Sequence, residues 1–133
     1  MIDIENEVFT RVKTALDNTF AEIYITSPYN RIEETFPHVT IEQSDSYTPR
    51  EYETNSDEEK IATFTFEINV YSNKMQGKKL ECQQIMNVID KTLRKMNFRR
   101  TTRQTVPNLE DATIYRMLAR YIVNSDGEGF YRN

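Results

Sequence analysis

Hydrophobic positions recur every four residues at the start of the chain. Ile4, Val8, Val12, Leu16 and Phe20 form a stripe with Phe9 and Ala15 beside it, which predicts an amphipathic helix over 3–19. Asp3 suits its N-cap, and Glu5 and Glu7 suit the positive end of the helix dipole. Residues 21–25 are β-prone, and Ser27-Pro28-Tyr29-Asn30 breaks them. After Phe36-Pro37, Val39 and Ile41 alternate with polar neighbours, which predicts a half-buried strand over His38–Gln43. The clearest alternation runs from Ile61 to Ser72. Ala62, Phe64, Phe66, Ile68 and Val70 take one face, and Thr63, Thr65, Glu67 and Asn69 take the other. Such a clean split predicts a sheet covered on one side and more open on the other.

A second helix is predicted over 77–96. Its stripe is Glu81, Ile85, Val88, Ile89, Thr92 and Met96, widened by Leu80, Cys82 and Leu93, and its outer face is Lys78, Lys79, Asp90, Lys91, Arg94 and Lys95. Phe98–Val106 reads as an exposed, mostly polar strand, and Pro107-Asn108-Leu109-Glu110-Asp111 as a turn. Residues 113–123 alternate again, with Tyr115, Met117, Ala119, Tyr121 and Val123 on one face and Ile114, Arg116, Leu118, Arg120 and Ile122 on the other. Antiparallel pairing of these two segments is the natural hairpin. Arginines at 116 and 120 need partners if that face is covered, and Glu67 is the candidate.

Two stretches show no apolar periodicity. The first is 44–59, a long acidic loop, of a length that in a compact domain is functional or ordered only when bound. The second is the glycine-containing tail 125–133, expected to be flexible. The whole reads as one α+β domain over 1–133. Its expected architecture is an antiparallel or mixed sheet of about four to five strands with two helices on one face.

Composition changes this picture in two ways. Hydrophobic residues make up 38 % of the chain, below the usual ~45–50 %, so part of its stability is expected from neighbouring molecules. Charge is divided along the chain. Residues 1–73 hold five basic and fifteen acidic side chains, net −10, whereas residues 74–133 hold twelve basic and six acidic ones, net +6. Opposite faces on neighbouring copies then attract, and a head-to-tail contact closes into a ring where the rotation allows. Solvated surface charge without a partner is the alternative reading.

Candidate chemistry adds little. The single histidine, His38, suits a structural or surface position better than a metal site, and Cys82 in the helix stripe suits a small buried hydrophobe better than a nucleophile. With one cysteine no intrachain disulfide forms, and a reducing compartment is expected. The N-terminal residues carry no secretory pattern, and no apolar run reaches the ~18 residues of a membrane span. Three glycines leave no phosphate-binding loop, no serine sits in a nucleophile elbow, and Asp45, Asp57, Glu58 and Glu59 lack EF-hand spacing. Nine basic residues lie between Lys74 and Arg103. However, the overall charge is −4, and Lys60-Ile61-Ala62-Thr63-Phe64-Thr65-Phe66 lacks the glycine of an RNA-recognition strand.

Several segments together carry a family resemblance. They are His38-Val39-Thr40-Ile41-Glu42-Gln43-Ser44-Asp45-Ser46-Tyr47, then Phe64-Thr65-Phe66-Glu67-Ile68-Asn69-Val70-Tyr71-Ser72-Asn73, Gly77-Lys78-Lys79, Ile85-Met86 and Met96-Asn97-Phe98-Arg99-Arg100. Pro107–Asp111 and Tyr115-Arg116-Met117-Leu118-Ala119-Arg120-Tyr121 complete the set. Over nearly its whole length the chain resembles the tail-terminator (tail-completion, minor capsid-like) proteins of tailed bacteriophages. The resemblance implies a subunit of a homo-oligomeric ring, typically hexameric, on the head-proximal end of the tail tube. Such a ring stops tube polymerisation and presents the head-joining surface. It implies the tail tube protein and a head-side neck or connector protein as partners, with DNA only passing through the lumen. It implies no cofactor and no reaction, and a place in the virion after assembly in the host cytoplasm. Another neck component (head-closure or adaptor protein), a cytosolic protein-binding module and a small enzyme remain the competing readings.

The residues assigned to a subunit or tube interface are, on the acidic side, Asp45, Glu51, Glu53, Asp57, Glu58 and Glu59, and on the basic side Lys78, Lys79, Arg94, Lys95, Arg99, Arg100 and Arg103. A second placement puts part of the acidic loop in the ring lumen, where it would repel phosphate and let DNA slide.

Overall fold

The computed structural model describes residues 2–26, 36–47, 61–106 and 113–133. Helix α1 (Glu5–Thr19) precedes strands β1 (Tyr24–Thr26), β2 (His38–Tyr47) and β3 (Ala62–Ser72). Helix α2 (Lys78–Lys95) follows, then β4 (Arg99–Val106), β5 (Tyr115–Ser125) and β6 (Phe130–Tyr131). The fold is α+β, with a mixed six-stranded open sheet in the order β1-β2-β3-β5-β4, and β6 also on β5. Among the described residues only the β1–β2 pair is parallel. The expected β4–β5 hairpin forms. Between β3 and β4 the chain crosses through α2, and β5 fills the space between those two strands.

Register explains why one face is covered. Across β2, β3 and β5, Val39 stands beside Val70 and Met117, and Ile41 beside Ile68 and Ala119. Phe66 stands beside Tyr121, and Phe64 beside Val123. These side chains, with Ile4, Val8, Val12 and Leu16 of α1 and Cys82, Ile85, Met86, Ile89 and Leu93 of α2, form one continuous core. Burying such side chains contributes about 1.5–3 kcal/mol each, which is why both helices lie on this face. The Phe66 ring meets Phe98 edge-on at 5.8 Å between centroids.

Several expectations need correction. Ser44–Tyr47 is not loop but the end of β2, extended past a β-bulge between Gln43 and Asp45. The rest of the proposed acidic loop lies outside the described residues, as does the Pro107–Asp111 turn. The tail is not free of structure: β6 pairs with the end of β5, Asn97 Nδ2 donates to the Phe130 carbonyl at 2.7 Å, and Asp126 Oδ1 accepts from the Glu128 and Gly129 amides at 2.9 and 2.7 Å. Those amide hydrogen bonds hold the Asp126 carboxyl below its ordinary range. The buried stripe of α2 is rotated from the expected one. Met86 is in the core, whereas Leu80 is exposed and Glu81 and Thr92 only half-buried. Asp3 is not the N-cap of α1; that position is Ile4, although Asp3 Oδ1 accepts the Glu5 amide at 3.2 Å. The second face of β3 is less open than its polarity suggests, since Thr63, Asn69 and Tyr71 are buried.

Candidate functional site

The candidate residues are surface charges, so each site depends on where the sheet and α2 hold them. Of the acidic set only Asp45 is described; Glu51, Glu53, Asp57, Glu58 and Glu59 lie outside the described residues. Asp45 is exposed at the β2 bulge and accepts the Ser46 amide at 2.8 Å. Residue 45 pairs with Thr65, which places it on the face of the sheet away from the helices.

The basic set is spread along α2 and β4. Lys78 opens α2 and donates to the Thr113 carbonyl at 3.1 Å. The preceding Gly77 has φ +81°, a left-handed conformation that glycine adopts without a Cβ penalty, and this sets the entry angle of α2. Lys79 and Lys95 are exposed and make no side-chain hydrogen bond or ion pair among the described residues. Lys95 lines an open groove of about 340 Å³ between α1 and α2, together with Arg11, Ala15 and Met96.

Arg94, Arg100 and Arg103 converge on one side of α2. A bulge between Arg100 and Thr102 keeps Arg100 and Arg103 on the helix-covered face, opposite Tyr121 and Ala119. Arg100 reaches Asp90 Oδ1 at 3.3 Å, Arg94 Nε reaches Asp90 Oδ2 at 2.7 Å, and Arg103 donates to Asn87 Oδ1 at 3.0 Å. The hydroxyl of fully buried Tyr121 also donates to Asp90 Oδ1, at 2.9 Å. Asp90 is therefore a node for two guanidinium groups and one phenol. Burial, and then the Asp90 carboxylate, push the Tyr121 phenol well above its ordinary value. The helix spacing of Asp90 and Arg94 is legible in sequence. The Tyr121 contact is not, because it depends on strand register.

Arg99 takes the opposite face, beside Ile122, and donates to Asn133 Oδ1 at 3.2 Å. On this face Arg120 pairs with Glu67 at 3.2 Å, as the sequence suggested. Arg116 departs from the expectation of an acidic partner: Nε donates to Asn69 Oδ1 at 2.9 Å and its guanidinium lies 5.7 Å from the Tyr71 ring centre.

His38 and Cys82 sit in structural surroundings. His38 is buried, with Nε2 2.7 Å from Thr26 Oγ1. Burial, and then the charge of Glu81, push the Cys82 thiol up to about 12. Among the described residues no group of three or more His, Cys, Asp and Glu is placed to hold a metal ion. No described helix is long and apolar enough to cross a membrane. No protein-family model matches the chain, and no curated protein matches it.

Proposed function

We propose that this chain is a structural assembly subunit of the tail-terminator type. It associates with itself as a ring, typically of six copies, and caps the head-proximal end of a tail tube. One face of the ring copies the stacking contact of the tube, the other refuses a further tube subunit, and DNA passes through the lumen. The tube protein and a head-side connector are the partners, no cofactor takes part, and the product resides in the virion after assembly in the host cytoplasm. The observation that carries the reading is the division of charge, −10 over residues 1–73 against +6 over 74–133. Within the fold it leaves Lys79, Lys91 and Lys95 along α2 without an acidic partner among the described residues. Unsatisfied charge of one sign on a helix, with surplus of the other elsewhere on the same chain, favours heterologous contact between copies.

Electron microscopy of a lysate from the parent phage with this gene deleted tests the proposal. Tails of uncontrolled length beside full, unattached heads are expected. Normal-length tails beside heads that leak DNA would replace tail termination by head closure, and intact particles would remove the assembly role.

A further inference from the structure

The two outer edges of the sheet carry opposite charge. Every strand has two hydrogen-bonding edges. On β2 one edge is taken by β3, and β1 covers only His38–Thr40 of the other. Among the described residues nothing pairs with Ile41–Tyr47 on that side. On β4 one edge is taken by β5, and among the described residues nothing pairs with the other over Arg99–Val106. The free stretch of β2 contains Glu42 and Asp45 and no basic residue, whereas β4 contains Arg99, Arg100 and Arg103 and no acidic one. The two stretches hold seven and eight residues, each about 25 Å long.

We infer that copies of this chain join edge to edge, β4 of one adding to the free edge of β2 in the next. Three observations support it. First, direction fits. From free edge to free edge the order is β2, β3, β5, β4, and every neighbouring pair in it is antiparallel. The two outer strands thus run in opposite directions, so a second copy set alongside in the same orientation meets the first in an antiparallel pair, with the helices on the same face. Second, sign selects the contact. Charged edge strands ordinarily protect a sheet from pairing. Here β4 repels β4 and β2 repels β2, so the pair left attractive is β2 with β4, which is head-to-tail. Third, both edge strands carry a β-bulge, which bends a strand and raises its twist, so that successive copies turn rather than continue flat. The inference deepens the assembly reading and rests on its self-association.

The test compares wild type with two charge reversals, E42K/D45K and R99E/R103E. Self-association is followed by sedimentation at low salt and backbone pairing by amide hydrogen exchange. Among the described residues Arg103 hydrogen-bonds Asn87 and Arg99 hydrogen-bonds Asn133, and neither bonds Asp90; because Arg103 also acts electrostatically on Tyr121, the fold of R99E/R103E is checked by circular dichroism before its association is read. The wild-type chain is expected to assemble, with amides in 41–46 and 99–106 slowing together on assembly. Each reversal alone weakens association by roughly a hundredfold. An equal mixture of the two, one with both edges basic and the other with both acidic, assembles again. Assembly without edge protection, or reversals that assemble like wild type, overturns the edge contact and leaves self-association standing. A wild-type chain that stays monomeric overturns both. Failure of the mixture, with both variants folded by circular dichroism, overturns the edge contact.

Discussion

Replacing Asp90 by alanine tests whether the α2–β4 side is held together from within. The Tyr121 hydroxyl is fully buried, and Asp90 Oδ1 at 2.9 Å is its acceptor. Removing that carboxylate leaves a buried phenol unsatisfied, at a cost of about 1–3 kcal/mol. It also releases Arg94 and Arg100, whose side chains are 53 % and 31 % exposed, so these pairs add only about 0–1 kcal/mol each. The expected loss is about 3 kcal/mol. Tyr121→Phe removes the donor but leaves Asp90 with both arginines, and should cost about 1.5 kcal/mol. In the double variant no orphan hydroxyl remains, so adding Tyr121→Phe to Asp90→Ala should cost nothing or recover some stability. Urea unfolding followed by circular dichroism, with midpoints compared at constant slope, measures all four chains of the cycle. Additive losses, or an Asp90→Ala loss smaller than that of Tyr121→Phe, would refute the node.

Three further outcomes follow from the geometry. The Cys82 thiol is raised from 9.0 to about 12, so the unfolded chain loses that proton first; its contribution to stability is complete below about pH 9 and falls away toward pH 12, and Cys82→Ala should flatten the slope of urea midpoint against pH in that window. Asn97 has φ +67° and donates to the Phe130 carbonyl, so Asn97→Ala should cost about 2 kcal/mol and Asn97→Gly less, read from thermal melts; equal losses would rule out a backbone contribution. Glu67→Gln should cost under about 1 kcal/mol and lose its effect in high salt, because Arg120 is 48 % exposed; a larger, salt-independent loss in chemical denaturation would contradict a surface pair.

The core was legible wherever a period met a single covered face. The stripe Ile4, Val8, Val12, Leu16 lies buried as spaced, and the inward residues of β3 and β5 are those the alternation selects. In α2 the pattern misled, because Glu81 and Thr92 fall at stripe spacing, whereas packing against β3 and β5 decides for Met86. The length of β2 was hidden by its composition. Gln-Ser-Asp-Ser has no strand preference, and its order comes from the β3 ladder beyond the bulge. β6 was hidden for the same kind of reason: two residues acquire a strand only because β5 extends past β4 and offers an edge. For the candidate site, sequence identifies which residues are charged but not which of those charges the fold consumes.

That distinction determines how charge reversals on this protein should be read. Arg94 and Arg100 are tied to Asp90, and Arg120 to Glu67. Reversing any of them sets two like charges a few ångströms apart inside one chain, so a lost assembly would follow from a loosened fold as readily as from a broken contact. Lys79, Lys91 and Lys95 have no such partner among the described residues, and Arg99 has only the amide of Asn133. Reversal there alters the field outside the molecule while sparing the packing within it. The same logic separates the two proposed contacts. Reversing the α2 lysines should weaken an electrostatic contact between copies without changing amide protection along β2 and β4, because neither strand includes them. Reversing Arg99 and Arg103 should abolish that protection. An assembly sensitive to the lysines and indifferent to the strand edges would place the copies helix to acidic segment; the opposite sensitivity would place them edge to edge.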